Sequence, residues 1–277
     1  GRPKMVVKLK GWDFTGLEEL PISHGNMVNY IPIVEKDTCR ECGACDEQLS
    51  PREILQFKCI AKRARGKDYL GVVKADVDNL GALFSIGISE DGEPAATISR
   101  TCTLSRMLDH FFGTWVQSTL ETKYRNFYSI YSGGDDLLIV GPWDEVTPFA
   151  QELYGEFRRY TGFNRDITLS AGVYPFKPAL PIYRAVDEVD EELEIAKEVP
   201  AYRRDRGRDQ FAIFGFPMAW EDLEEMYKEV WDLTNWVDRG DVGGVFLNRL
   251  MTFWDMYLRY RQEGDILGLK YLPFLSY

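Results

Sequence analysis

Two short acidic runs in this 277-residue chain carry the residue types that gather divalent cations. The first is Lys74-Ala75-Asp76-Val77-Asp78-Asn79-Leu80-Gly81 and the second is Tyr131-Ser132-Gly133-Gly134-Asp135-Asp136-Leu137. Side chains alternate along a strand, so Asp76 and Asp78 share a face if the strand continues through them. Gly133 and Gly134 permit positive φ and let the backbone lie close to a phosphate, and two carboxylates follow at once. If the fold joins the two runs, Asp76, Asp135 and Asp136 converge. Three carboxylates in one place repel one another unless a cation sits between them. Magnesium takes hard oxygen ligands and keeps nucleoside phosphates as partners. A pair of magnesium or manganese ions about 3.5–4 Å apart lowers the pKa of an attacking hydroxyl and stabilises departing pyrophosphate. The chemistry so indicated is attack of a 3′-hydroxyl on an α-phosphate. Each run alone has a plainer reading, Gly-Gly-Asp-Asp as a hairpin turn and Asp78-Asn79 as a helix N-cap. Their occurrence together, each flanked by strand-like residues, is far more specific.

The elements that must position these acids follow from hydrophobic periodicity. Tyr69 to Asp76 reads as a buried strand, and Asp78-Asn79 opens a helix toward Ile86. Ser99 to Thr122 has helical spacing through Leu104, Met107, Leu108, Phe111, Phe112, Trp115, Val116 and Leu120. Arg125–Tyr131 and Asp136–Val140 form a hairpin about the Gly-Gly turn. A helix over Trp143–Tyr160, a strand over Ile167–Tyr174, a helix over Ile182–Val199 and a last strand over Gln210–Phe214 follow. This order predicts an α/β (α+β) ferredoxin-like sheet with one helix face. From residue 217 the chain is Trp-rich and helical, near 220–239 and 242–262, and reads as a separate small α domain. The expected organisation is 1–36 as a linker or the end of a preceding domain, 37–67 as a cysteine-bearing insert, 68–216 as the α/β domain and 217–277 as the helical domain.

Four of the five cysteines form the pattern Cys39-x2-Cys42-x2-Cys45-x13-Cys59. Clustered cysteines at two-residue gaps point to metal rather than disulfides, because a Cys-x-x-Cys turn aims two thiolates at one tetrahedral zinc. An iron–sulfur cluster and free thiols are the alternatives. Cys102 falls in a helix and is expected in the core. Lys plus Arg number 33 against 44 Asp plus Glu, a net charge of −11, which argues against wholesale DNA coating. Two basic runs, Lys58–Lys67 and Arg203–Arg208, read as solvated loops or as docking sites. No run approaches about 18 uninterrupted apolar residues, so no membrane partner is expected. The start Gly1-Arg2-Pro3-Lys4-Met5 reads as an internal fragment of a cytoplasmic protein.

The two acidic runs, Asn164 to Gly172 and the clustered cysteines together resemble the second palm domain of the large subunit of type III CRISPR effector complexes, Csm type, over roughly residues 30–277. The resemblance implies a nucleotidyltransferase that joins ATP into cyclic oligoadenylates, switched on when guide RNA captures target RNA among the other subunits of the complex. It implies Asp76 as a ligand shared by both ions, with Asp135 and Asp136 completing the metal site. Gly133 and Gly134 would lie against phosphates, Ser132 would contact adenine, and Asp78 and Asn79 would stand at the nucleotide, with Asn79 alternatively only a cap. Lys197 falls where nucleotidyl cyclases place a triphosphate-binding lysine, its plainer reading being an exposed helix lysine. Cys39, Cys42, Cys45 and Cys59 resemble that family's zinc site, and the last helices resemble its α domain. The chain's histidines are His24 and His110 with no His-Asp pair, so no DNA-cutting site is expected, and a first palm is not visible. Two other readings stand beside this one. A GGDEF-type diguanylate cyclase shares the palm but would have Glu and Phe where Asp136 and Leu137 stand. An inactive palm would serve as a scaffold or RNA-binding module.

Overall fold

The computed structural model describes residues 28, 30–34, 52–86, 97–201, 204–205 and 207–275. The chain divides into two compact units, residues 1–218 and 219–277. In the first unit, β1 (Leu70–Val77), β2 (Tyr128–Gly133), β3 (Asp136–Pro142), β4 (Leu169–Phe176), β5 (Gln210–Ile213) and β6 (Phe216–Ala219) form one sheet in the order β2-β3-β1-β4-β5-β6. Its first four strands follow the ferredoxin-like arrangement, all antiparallel, and β5 extends the sheet parallel to β4. Around it lie α1 (Phe57–Ala61), α2 (Leu80–Ile86), α3 (Ile98–His110), a π-helical turn (Phe111–Trp115), α4 (Val116–Thr122), α5 (Trp143–Tyr160) and α6 (Ile182–Glu198).

Helices cover both faces of the sheet, not one. Gly71 and Lys74 lie at positions of opposite parity on β1 and so mark opposite faces. A Cβ on Gly71 would stand 2.3 Å from Val146 Cγ2 of α5, while one on Gly172, the register partner of Lys74, would stand 2.5 Å from the Leu193 backbone nitrogen of α6. Both helices therefore approach to distances that only glycine allows. The α5 face is an aromatic layer in which Phe111, Phe112, Phe127, Phe149 and Phe157 are buried, Phe111 edge to face on Phe157 and Phe127 tilted on Phe149. The α6 face is aliphatic, with Leu70, Val72, Leu138 and Val140 packed on Ala185 and Val189.

That aliphatic core also takes in Val34, Leu55, Cys59, Ile60 and Ala61. Backbone bonds join Val28 N–H to Ser132 O, Ser129 N–H to Tyr30 O and Leu55 N–H to Pro32 O. Residues 28 and 30 thus border the edge of β2, and α1, which the sequence places in the cysteine-bearing insert, packs in the sheet's core. Cys102 is exposed rather than in the core, because α3 buries only Leu108. The hairpin from β5 to β6, with Pro217 in its second strand, was not foreseen. Phe214 and Gly215 both take positive φ at its tip, the requirement of a tight two-residue turn.

In the second unit, α7 (Trp220–Arg239) ends on Gly240 at φ 76°, a left-handed C-cap, and α8 (Gly244–Leu258) follows. A 3₁₀ turn (Ile266–Lys270) and α9 (Tyr271–Leu275) close the chain. Among the described residues no helix is long and apolar enough to cross a membrane.

Gly172→Ala is expected to lower stability by about 1–3 kcal/mol, the usual cost of overpacking. A denaturant midpoint unchanged from the parent chain would show that α6 can retreat freely.

Candidate active site

Strand register brings the two acidic runs together. Asp76, the penultimate residue of β1, is the direct antiparallel partner of Asp136, the first residue of β3. Directly opposed residues on neighbouring strands project to the same face. The Val77 N–H donates to the Asp135 carbonyl at 3.0 Å, so the turn is tied to the same strand end. Of the two glycines only Gly134 takes positive φ, at 70°, with open space where a Cβ would be. Gly133 ends β2, paired with Asp136.

Two lysines face these acids. Lys197 near the end of α6 donates from Nζ to Asp76 Oδ2 at 2.6 Å, across 121 positions of sequence. Lys74 donates to Asp190 Oδ1 at 2.6 Å, and its charge also acts on Asp136. The two ion pairs have opposite polarity between strand and helix, and both depend on the close approach that Gly172 permits. Tyr131 donates its hydroxyl to the Asp136 carboxylate. Burial, followed by the negative charges of Asp136, Asp190 and Asp76, raises the Tyr131 phenol far above its ordinary range, so it stays protonated and able to donate.

Partial burial, followed by repulsion from Asp76, raises the Asp135 carboxyl, against a backbone hydrogen bond and Lys197. Asp136 is raised by burial and by Asp135 and Asp76, while the Tyr131 hydroxyl and Lys74 pull it down. Asp109 of α3 adds a further repulsion on Asp135 and is an acid that sequence reading missed. Its signal was hidden, because nothing in a helical heptad announces proximity to a distant turn.

Two expected site residues, Asp78 and Ser132, are buried with their side chains bonded elsewhere. Strand β1 stops at Val77, and Asp78 is fully buried, accepting from Ser170 Oγ at 2.7 Å, Thr168 Oγ1 at 2.8 Å and the Asp209 N–H at 2.9 Å. Asp78 is therefore a latch between strands rather than a nucleotide contact, since both its oxygens are committed. Ser132 is likewise buried, its hydroxyl given to the Phe112 carbonyl at 2.8 Å. Asn79 is exposed in a left-handed turn at φ 56°, a conformation asparagine tolerates better than most residues. Cys39, Cys42 and Cys45 lie outside the described residues. Cys59 is buried and disulfide-bonded.

Carboxylate oxygens of Asp76, Asp135 and Asp136 are the hard donors that magnesium or manganese takes, and their mutual repulsion fits a cation. Among the described residues no acid, imidazole or thiol trio already has a metal-holding arrangement, and Lys197 holds Asp76 instead.

The sequence profile of the family Cas10/Cmr2, second palm domain, matches residues 69–212. The chain belongs to the Cas10 family. A Cas10/Csm1 protein of subtype III-A from Methanocaldococcus jannaschii, named a CRISPR system single-strand-specific deoxyribonuclease, is 37% identical over 202 residues, which is 66% of this chain and 25% of that one. This Cas10 chain spans about a quarter of the length of the curated relatives it matches. Among solved structures, Csm1 of T. onnurineus aligns with a TM-score of 0.56 at 28% identity, over 73% of this chain and 28% of that one. A Csm1–Csm4 cassette in complex with pppApA aligns with a TM-score of 0.56 at 26% identity, over 78% of this chain and 32% of that one.

Because the Asp135 and Asp136 carboxyls are raised, the folded chain keeps protons that the unfolded chain has released. Their contribution to stability therefore falls as pH rises out of the carboxylate range, and the cost is complete at neutral pH. Added Mg²⁺ is expected to raise the melting temperature most near pH 7 and least near pH 4. Asp135→Asn should melt at or above the parent chain in EDTA and lose the response to Mg²⁺. A pH-independent magnesium response would contradict this. Asp78→Ala should cost about 2–4 kcal/mol in a denaturant titration, since it orphans two buried hydroxyls and the part-buried Asp209 N–H.

Proposed function

We propose that this chain is the nucleotide-binding and metal-binding palm of a synthase that joins ATP into cyclic oligoadenylates within a type III CRISPR complex. The observation that carries the reading is the register of Asp76 against Asp136, with Asp135 tied to the same strand end and Lys197 above it. The Cas10 membership supports it. So does the relative whose Csm1–Csm4 cassette is complexed with pppApA, since pppApA is what one 3′-hydroxyl attack between two ATP molecules yields once pyrophosphate leaves.

In this reading Asp76, Asp135 and Asp136 hold magnesium or manganese ions. When bound, such ions acidify the attacking hydroxyl and neutralise the pyrophosphate. Lys197, which here pairs with Asp76, would be the residue to hold the triphosphate. Tyr131 orients Asp136 by its hydrogen bond, and Lys74 offsets the negative charge beside it. Gly134 leaves the turn open to a phosphate. Partner subunits, guide RNA and target RNA are proposed to act on this palm in the assembled complex. Cys39, Cys42, Cys45 and Cys59 are proposed to hold one structural zinc.

In the assembled complex with target RNA, Asp135→Ala/Asp136→Ala is expected to abolish oligoadenylate formation while leaving assembly intact. ATP should be consumed in preference to GTP. Product from the double variant would defeat the reading, and preference for GTP would favour a diguanylate-cyclase activity. Elemental analysis of the chain purified under reductant should find one zinc. Its absence alongside a retained fold would remove the zinc reading.

A further inference from the structure

We infer that Ser132 is a positioning residue whose hydroxyl fastens the acid-bearing hairpin to the π turn between α3 and α4, and that it makes no contact with the nucleobase. Neighbouring residues on a strand project to opposite faces. Tyr131 pairs with Leu138 and its hydroxyl reaches Asp136 on the acid face. Ser132 pairs with Leu137 and is turned to the other face, fully buried, with Oγ 2.8 Å from the Phe112 carbonyl.

That carbonyl belongs to the stretch where the helix widens, the Val116 N–H reaching back to Phe111. A side chain inserted into a helix's carbonyl ladder is a recognised cause of such a departure. Single π turns recur at functional positions. This one is seated firmly, since Phe111 and Phe112 are buried with ring centroids 5.3 Å and 6.0 Å from Phe157 of α5. On the strand's edge the Ser132 carbonyl accepts the Val28 N–H. The residue just before Gly133-Gly134 is thereby held on two sides. The location of Asp135 and Asp136 is referenced to a helix on the far face of the sheet.

Hydrogen exchange on the purified chain tests the link. In Ser132→Ala, amides of 111–116 and 133–137 are expected to exchange about tenfold faster, the effect of losing one buried hydrogen bond, while those of α6 stay unchanged. Ser132→Cys keeps the volume with a weak donor and should behave like the alanine variant. Unchanged exchange in both variants, or parental exchange in Ser132→Cys, overturns the inference. A kinetic arm rests on the proposed ATP-joining activity. In the assembled complex Ser132→Ala should lower kcat with the KM for ATP and the ATP-to-GTP preference unmoved. A raised KM with altered base preference would make Ser132 a base contact and overturn the inference. If the parental complex makes no oligoadenylate, the proposed function fails while the exchange arm still decides the role of Ser132.

Discussion

Like charges set opposite each other on adjacent strands destabilise a sheet, and here the register forces that arrangement on Asp76 and Asp136. The chain tolerates it by surrounding the pair with compensation: Lys197 on Asp76, Tyr131 on Asp136, and Lys74 between Asp136 and Asp190. Lys197 and Asp190 reach this strand end from α6 and so depend on the closeness of that helix to the sheet. That closeness in turn requires a residue lacking Cβ at position 172. One unfavourable electrostatic contact thus explains the choice of residues on two strands and a helix. Acids held this close cost stability, a common exchange for function where the proposed cations would bind.

The two acids at 76 and 78 show how little residue type says by itself. They are separated by one residue, yet Asp76 stays partly open to solvent while Asp78 is wholly enclosed. Asp78 binds the start of β4 through Thr168 and Ser170 and the entrance to β5 through Asp209. The second contact helps hold Arg208 and Asp209 at positive φ, an uncommon pair for side-chain-bearing residues. Tyr154 and Arg204 reinforce the same corner. The buried carboxylate is therefore part of the frame that orders the acid end of the sheet, not part of its chemistry.

Much of this was legible before any coordinates. The run of β-branched residues ahead of Asp76 and the two glycines ahead of Asp135 specify a strand and a hairpin locally, and antiparallel pairing then brings the acids together. What could not be read depends on contacts between distant elements. Whether Ser132 faces a ligand or a helix turns on strand parity, which needs the exact strand start, here Tyr128 rather than Arg125. The second helix layer escaped notice because α6 is amphipathic like the others, and periodicity does not say which face of a sheet it will cover. Asp109, Lys74 and Asp190 carry ordinary charged-residue signals that only three-dimensional neighbours make meaningful. Cys102 misled for the converse reason: helical spacing in α3 continues past the point where the helix has anything to pack against.

Every side chain assigned to the acid face or its supports lies ahead of the break between residues 218 and 219. A substitution in the helical unit therefore removes none of the side chains that surround Asp76, Asp135 and Asp136.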